Sequence, residues 1–570
     1  MIGVIAKLDE KPVVEEFFEL FKTPWEFHRP GQRYDAVIAS ADEIPRVETK
    51  LLIVYGSGKR SVDTQNGIVV GSRYHGGALN YQQRLLPLYG EVSAFLENSP
   101  GFPCATIEGG IAGLKLTSGD FTTLRLGYDL FQEIRQLLTG GQPVKNADFP
   151  AVDFHIAMLR DWILEAGISL LEIPPTPAGY GFAVCLTHDI DFVGIRNHKF
   201  DHTMWGFLYR STIGALRNFF RRRISFSRLS KSWLAALSLP FVYIGWAKDF
   251  WDPFDWYLQV EKNLPATYFL IPYKNRTGER VPGRNASRRA TAYDVTDLPK
   301  WTEILLEKGC EIGVHGIDSW HSAEKGRAEF NRIAAITGKA NSGIRMHWLL
   351  GDENTIRVLE EAGYDFDASV GYNDTIGYRS GTAQVYRPLE AQTLLELPLH
   401  IQDGALFYPQ KLDLSEPEAW DRCGALIENA KKHGGVLTVL WHDRSHGPER
   451  FWGGFYIRLV QEFKSLNVWF GGAQQIVDWF RKRRQVRFER VGNSGATRMR
   501  LCYEGAEIQP PLRVRVYGSS PRPGDNESVS AANTEFVDIS WNGKSAEELQ
   551  LRLTSQFAER LPDFALGSLS

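Results

Sequence analysis

The stretch "AVCLTHDIDFVG", Ala183 to Gly194, decides how this chain is read. It runs uncharged and largely apolar and then stops on a histidine and two acids, Asp189 and Asp191. A short apolar run bounded by glycine is what a buried strand looks like. Alternation along a continuing strand puts Asp189 and Asp191 on one side of it. Strand-end hydrogen bonding or turn formation is the plainer use of two such acids.

Two further runs close in the same way. "EIGVHGIDSWHS" is an apolar strand ending at His315, with His321 beyond it, and "GGVLTVLWHDRSHG" is another ending at His442. One carboxylate and two imidazoles form the donor set of a divalent metal that keeps open positions for water and substrate. A second carboxylate can take a proton from that water, and a histidine opposite can give one to a leaving group. Each piece alone has a structural reading as a capping, surface or satisfied strand-end group. All three close apolar runs within one part of the chain, and a barrel of parallel strands brings such ends to a single rim.

These residues resemble the polysaccharide deacetylase family, also called the NodB homology domain or carbohydrate esterase family four, over about Thr176 to Arg484. The family's first motif is an aspartate pair, and "THDID" is similar to its spaced form, which implies Asp189 as catalytic base and Asp191 as metal ligand. The second motif has two histidines; "HGIDSWH" holds them two residues further apart than usual, implying His315 and His321 as ligands, with Asp318 an alternative to His321. The third keeps its arginine in "GIRMHWL", so Arg345 is the residue expected to orient the base, and His347 stands where the family has proline. His347 is open to three readings: a substrate contact, a metal contact or a packed ring. The fourth motif is poorly matched by "YDFDASVGYND", which leaves Asp367 and Asp374 as candidates. The fifth matches "LTVLWHD", giving His442 as catalytic acid with Asp443 beside it. Trp348, Asp374, Arg379 and Trp441 join His347 as candidate substrate contacts.

The resemblance implies a distorted (β/α) barrel, a divalent ion (zinc, or cobalt, nickel or manganese) and hydrolysis of an N-acetyl group from an amino sugar in a polysaccharide or glycan precursor. One rival is a deformylase or other C–N hydrolase acting on a lipid-linked amino sugar. Another, favoured by the widened histidine spacing, is a catalytically silent glycan-binding scaffold.

Around this barrel, at about 176–484, the 570 residues have room for two more domains. Residues 1–174 alternate short apolar strands with helical stretches, as an α/β domain does, and "PPTPAGYG" reads as a linker. From about Gln485, period-two runs such as "VRFERVG" and "LRVRVYGS" predict a small β-sandwich over 485–570. Net charge is −3, and nothing global points to nucleic acid. Five scattered cysteines without CxxC spacing read as reduced core residues, and the N-terminus lacks the basic start and apolar run of a secretory signal, so a cytoplasmic location is expected.

One insertion stands outside the chemistry. Arg196 to Asp249 holds ten Lys or Arg against two Asp beside an apolar, aromatic run, Ser232 to Ala247, interrupted by Pro240. That run is shorter than the roughly 20 residues needed to cross a bilayer. Two uses remain: contact with an anionic membrane surface, or a helical lid or dimer contact with a solvated basic face.

Overall fold

The computed structural model describes residues 1–281, 283, 286–339, 342–491, 498–518, 536–544 and 551–552. The chain forms two compact units, one of Met1–Leu138, Ala151–Ala178 and Arg481–Ser570, the other of Thr139–Pro150 and Gly179–Phe480.

The second unit is built on a parallel sheet, the curved inner wall of a distorted (β/α) barrel. Its strands lie in the order Leu395–Glu396, Phe366–Asp367, Gly343–Met346, Glu311–Gly316, Ala266–Leu270, Phe182–Ile190, Val436–Leu440 and Ile401–Gln402, and Val468–Phe470 also pairs with Phe182–Ile190. Every pairing is parallel. All nine residues of the central strand Phe182–Ile190 are buried, which explains why "AVCLTHDI" lacks the polar alternation of a half-exposed strand. One face packs Val184, Leu186 and Ile190 with Tyr268, Leu270 and Val314 into the main core. The other face carries Thr187 and Asp189 into the barrel.

Connecting helices are marked locally. Glu416–His433 starts in a capping box, Ser415 with Glu418, carries a proline in its first turn and ends in Lys431, Lys432 and His433 before Gly434. Gly313 permits a close approach: a Cβ there would lie 2.8 Å from the Phe269 ring. Between the first two barrel strands the insertion folds as helices, His202–Tyr209 continuing through a wider turn into Ala215–Phe220, then Phe226–Tyr243 with Pro240 inside it. No helix among the described residues is long and apolar enough to cross a membrane.

The first unit contains a nine-stranded mixed sheet. Trp25–Phe27, Ile2–Ile5, Ala36–Ala39, Leu51–Tyr55 and Phe121–Leu126 run parallel, and the four remaining strands between Val70 and Ser118 are antiparallel. The period-two runs after Gln485 form strands at Arg487–Val491, Arg498–Cys502, Leu512–Tyr517, Phe536–Trp541 and Leu551–Arg552. They make two three-stranded sheets, one completed by Leu170–Glu172, so this segment is joined by backbone pairing to chain that precedes the linker.

Candidate metal centre and active site

The barrel strands converge on a group of acids and imidazoles at their C-terminal ends. Asp189 on Phe182–Ile190 lies opposite Phe269, and Phe269 opposite Gly313; two residues on, His315 lies opposite Arg345. Period-two alternation therefore puts Asp189, Asp191, His315, Arg345 and His347 on the inner side, with Asp191 level with His315.

Asp191, His315 and His347 each offer a ligand atom, and these atoms all lie within 4.8 Å of one another. His315 Nε2 is 3.2 Å and His347 Nε2 3.8 Å from Asp191 Oδ1. His315 Nδ1 lies 2.9 Å from the Arg345 carbonyl, a bond that fixes the proton on Nδ1 and leaves Nε2 as an acceptor. Asp191 Oδ1 is buried with no hydrogen-bond partner among the described residues. A buried carboxylate oxygen without a donor is costly. Two imidazole nitrogens beside it fit a shared divalent cation, so the donor set suits the ion that the resemblance implies. Burial keeps His347 far below the usual histidine range, with His315 and Arg289 adding to the effect, so its ring is neutral as a ligand must be.

The third member of this group is not the histidine expected from the sequence. His321 lies outside this group and pairs instead with Asp318, Nε2 to Oδ1 3.1 Å. The strand stops at Gly316, and Glu329 on the helix Ala323–Thr337 then accepts from the backbone N–H of Ile317 (2.9 Å) and Asp318 (2.8 Å) and from Ser319 Oγ (2.6 Å). That buried carboxylate turns the two additional residues away from the barrel axis. Asp318 is occupied as well, accepting from the Glu279 N–H at 2.9 Å. His347 takes the place because it follows the adjacent strand, Gly343–Met346, where its ring stacks on His315. Arg289 donates to the carbonyls of Gly316 and His347, tying the two strand ends together.

On one side of the triad stands Asp189. Arg345 Nη1 donates to its Oδ1 at 3.1 Å and to Thr187 Oγ1 at 2.7 Å, while Arg345 Nε donates to the Ala368 carbonyl at 2.9 Å. The guanidinium is fully buried and lies 4.6 Å from the Phe269 ring centre. Asp189 Oδ2 is 3.9 Å from His315 Nε2, so this carboxylate borders the triad without belonging to it.

On another side stands His442, just past Val436–Leu440. Its backbone N–H and Nδ1 both donate to Asp403, at 2.8 and 2.5 Å, and Ser445 Oγ donates to the same carboxylate. Burial lowers the affinity of His442 for a proton, but Asp403, and after it Asp191 and Asp189, outweigh burial and raise its pKa to about 9. Nε2 is left to face a reacting group. Asp403 was not foreseen; it follows the two-residue strand Ile401–Gln402 and opens the short helix Asp403–Phe407, so there is no periodicity to read.

The remaining candidates fare differently. Trp348 sits beside His347, 37% exposed and in the left-handed backbone region at φ 67°. Trp441, expected at the substrate, is fully buried in the core against Phe455 and Tyr456. It precedes His442 directly, and successive side chains at a strand end point to opposite sides. Asp374 is exposed with Lys411 within its electrostatic reach, and Arg379 donates to the Gly371 carbonyl and lies over Tyr372. Asp367 is buried and held by Ser369 and Glu396, and burial pushes its carboxyl up to about 6. Asp443 Oδ2 accepts from the Phe192 N–H, fixing the chain just after Asp191. His188 turns away, bonding the Trp441 carbonyl and Glu261.

No protein-family model matches the chain, and no curated protein does. Among solved structures it is similar to one described as a polysaccharide deacetylase from Mycobacterium smegmatis, at 18% identity and TM-score 0.33, covering 57% of this chain and 100% of that one. It is also similar to an allantoinase, at 15% identity and TM-score 0.32, covering 54% and 92%. A third, described as a polysaccharide deacetylase from Pseudomonas aeruginosa, gives 15% identity, TM-score 0.31 and coverage of 54% and 94%. The geometry of the site stands without them.

Proposed function

We propose that this protein is a metal-dependent hydrolase that removes N-acetyl groups from an amino-sugar-containing polysaccharide or glycan precursor. The observation that carries the reading is the buried, unsatisfied Asp191 Oδ1 between His315 and His347, flanked by Asp189–Arg345 and by His442–Asp403. Asp191, His315 and His347 would hold a divalent cation, zinc by its donor chemistry, which when bound polarises an amide carbonyl and makes water a better nucleophile.

The chain's own groups supply the proton transfers. Asp189 takes the proton of the attacking water; Arg345 donates to it and is itself fixed by further hydrogen bonds to Thr187 Oγ1 and the Ala368 carbonyl. His442, kept protonated at neutral pH by Asp403, donates from Nε2 to the departing amine nitrogen. Acid and base are separate groups at the ends of different barrel strands, as an amide hydrolysis needs. The wide histidine spacing that favoured a silent scaffold loses its weight, because His347 fills the third position. Exposed Trp348 at the rim suits a sugar face.

Acetate release from N-acetylglucosamine oligomers and other N-acetylated glycans tests this, using zinc-loaded protein with the Asp189→Asn variant as control. Acetate formed by wild type and lost in the variant is expected. No acetate from any N-acetylated glycan by metal-loaded protein would contradict the reading, and formate released from an N-formyl amino sugar instead would move it to the deformylase.

A further inference from the structure

The insertion between the first two barrel strands presents an apolar surface that none of the described residues covers. On its first helical stretch the exposed large side chains are Trp205, Tyr209, Ile213, Leu216 and Phe220, spaced four, four, three and four apart and therefore on one face. On Phe226–Tyr243 and just beyond, Trp233, Leu234, Leu237, Phe241 and Ile244 repeat the pattern, with Leu237 72% exposed. The opposite faces are already satisfied: Met204, Phe207, Leu239 and Val242 pack with Ile195 and Trp251 into a small core of their own. Isolated exposed apolar residues are ordinary, but two adjoining helices that both turn such a face outward mark an interaction site.

Charge says what covers it. Arg217 in the first helical stretch, Arg221 and Arg222 in the turn, and Lys231 near the start of Phe226–Tyr243 are all exposed and in no ion pair among the described residues. Phe219, Phe220, Arg222 and Arg223 line a shallow hollow there. Neither acid of the insertion reaches this surface as a free charge: Asp201 caps the first helix and pairs with His198, and Asp249 is buried, accepting from Ile195, Arg196 and Trp251. A second copy of the chain would set the basic turn against itself with no acid opposite. Exposed tryptophan and tyrosine on an apolar face flanked by arginines suit the boundary between lipid headgroups and acyl chains.

We infer that this helical hairpin docks on the surface of an anionic lipid bilayer, its apolar faces entering the headgroup boundary and Arg217, Arg221, Arg222 and Lys231 meeting lipid phosphates. The hairpin leaves the barrel at Phe192, directly after Asp191, and returns at Trp251; Arg444 lies 3.5 Å from the ring centre of the first and 5.1 Å from that of the second. Ser232 is tied to the Pro448 carbonyl at 2.7 Å. The docked hairpin therefore holds the rim carrying the metal centre beside the membrane.

Cosedimentation of the full chain with vesicles tests this, comparing equal parts phosphatidylcholine and phosphatidylglycerol with phosphatidylcholine alone. Wild type sediments with the anionic vesicles and much less with the neutral ones, and raised salt weakens the binding. Trp205→Ser combined with Leu237→Ser, and separately Arg221→Glu combined with Arg222→Glu, each lower the affinity at least about tenfold, the change expected from removing basic residues at an anionic surface. Their circular dichroism and metal content match wild type. Wild type left in the supernatant, or variants that bind as it does, would overturn the inference. So would a lipid-free dimer that the Trp205→Ser, Leu237→Ser variant dissociates, which would assign the face to a second copy.

Discussion

The ring of His347 stacks on that of His315, with centres 4.8 Å apart and planes 15° from parallel, so both imidazoles reach the Asp191 carboxylate from one side. The arrangement depends on two adjacent parallel strands ending one level apart. His315 lies within Glu311–Gly316, and His347 follows Gly343–Met346 by one residue. Neither ring needs the turn that leads to His321.

Asp403→Asn separates the acid from its support. In the proposed mechanism His442 donates only while protonated, a state present below its raised pKa of about 9 and lost as pH rises through it. Asp403 is the main group opposing burial, so the variant's alkaline limb moves to lower pH and kcat at neutral pH falls by roughly 10²–10⁴, the range for losing general acid catalysis. A pH–rate profile checks both. An unchanged limb would remove His442 from the acid's role.

Arg345→Lys tests positioning apart from metal binding. Lysine cannot reproduce a planar fork that reaches Asp189, Thr187 and the Ala368 carbonyl together. Expected is a loss of about 100-fold in kcat with metal content and KM close to wild type. Loss of metal in this variant would show that Arg345 supports the ligands rather than the base.

The first unit carries its own pH sensitivity. Burial depresses the pKa of His155 to about 3, below an unfolded value near 6.5, so the unfolded chain binds a proton that the folded one refuses. Stability is therefore lost as pH falls below about 6.5. His155→Gln, which keeps an acceptor for Tyr128, removes that term, and urea unfolding at pH 7.5 and 5 should show the variant losing roughly 2 kcal/mol less than wild type over that interval. Equal losses would show that His155 titrates normally.

Much of the candidate site was legible in the sequence because it lies at strand ends. Asp189, Asp191, His315, Arg345 and His442 each close or follow an apolar run, and a parallel sheet gathers such ends. What sequence could not show was decided by groups remote along the chain. Glu329 turns the His321 segment away, Asp403 opens a five-residue helix after a strand too short to see, and Trp441 faces the core because its neighbour His442 faces the site. The period-two runs after Gln485 were readable as strands, while their partner at Leu170–Glu172, lying before the linker, was not.

The most direct test is elemental analysis of tag-free protein loaded with zinc, comparing wild type with His347→Ala and His321→Ala. The structure predicts near-stoichiometric zinc in wild type and in His321→Ala. In His347→Ala affinity falls by more than the roughly 10–100-fold typical of changes to a ligand's supporting partner. Zinc retained by His347→Ala and lost from His321→Ala would contradict the assignment of the centre to Asp191, His315 and His347.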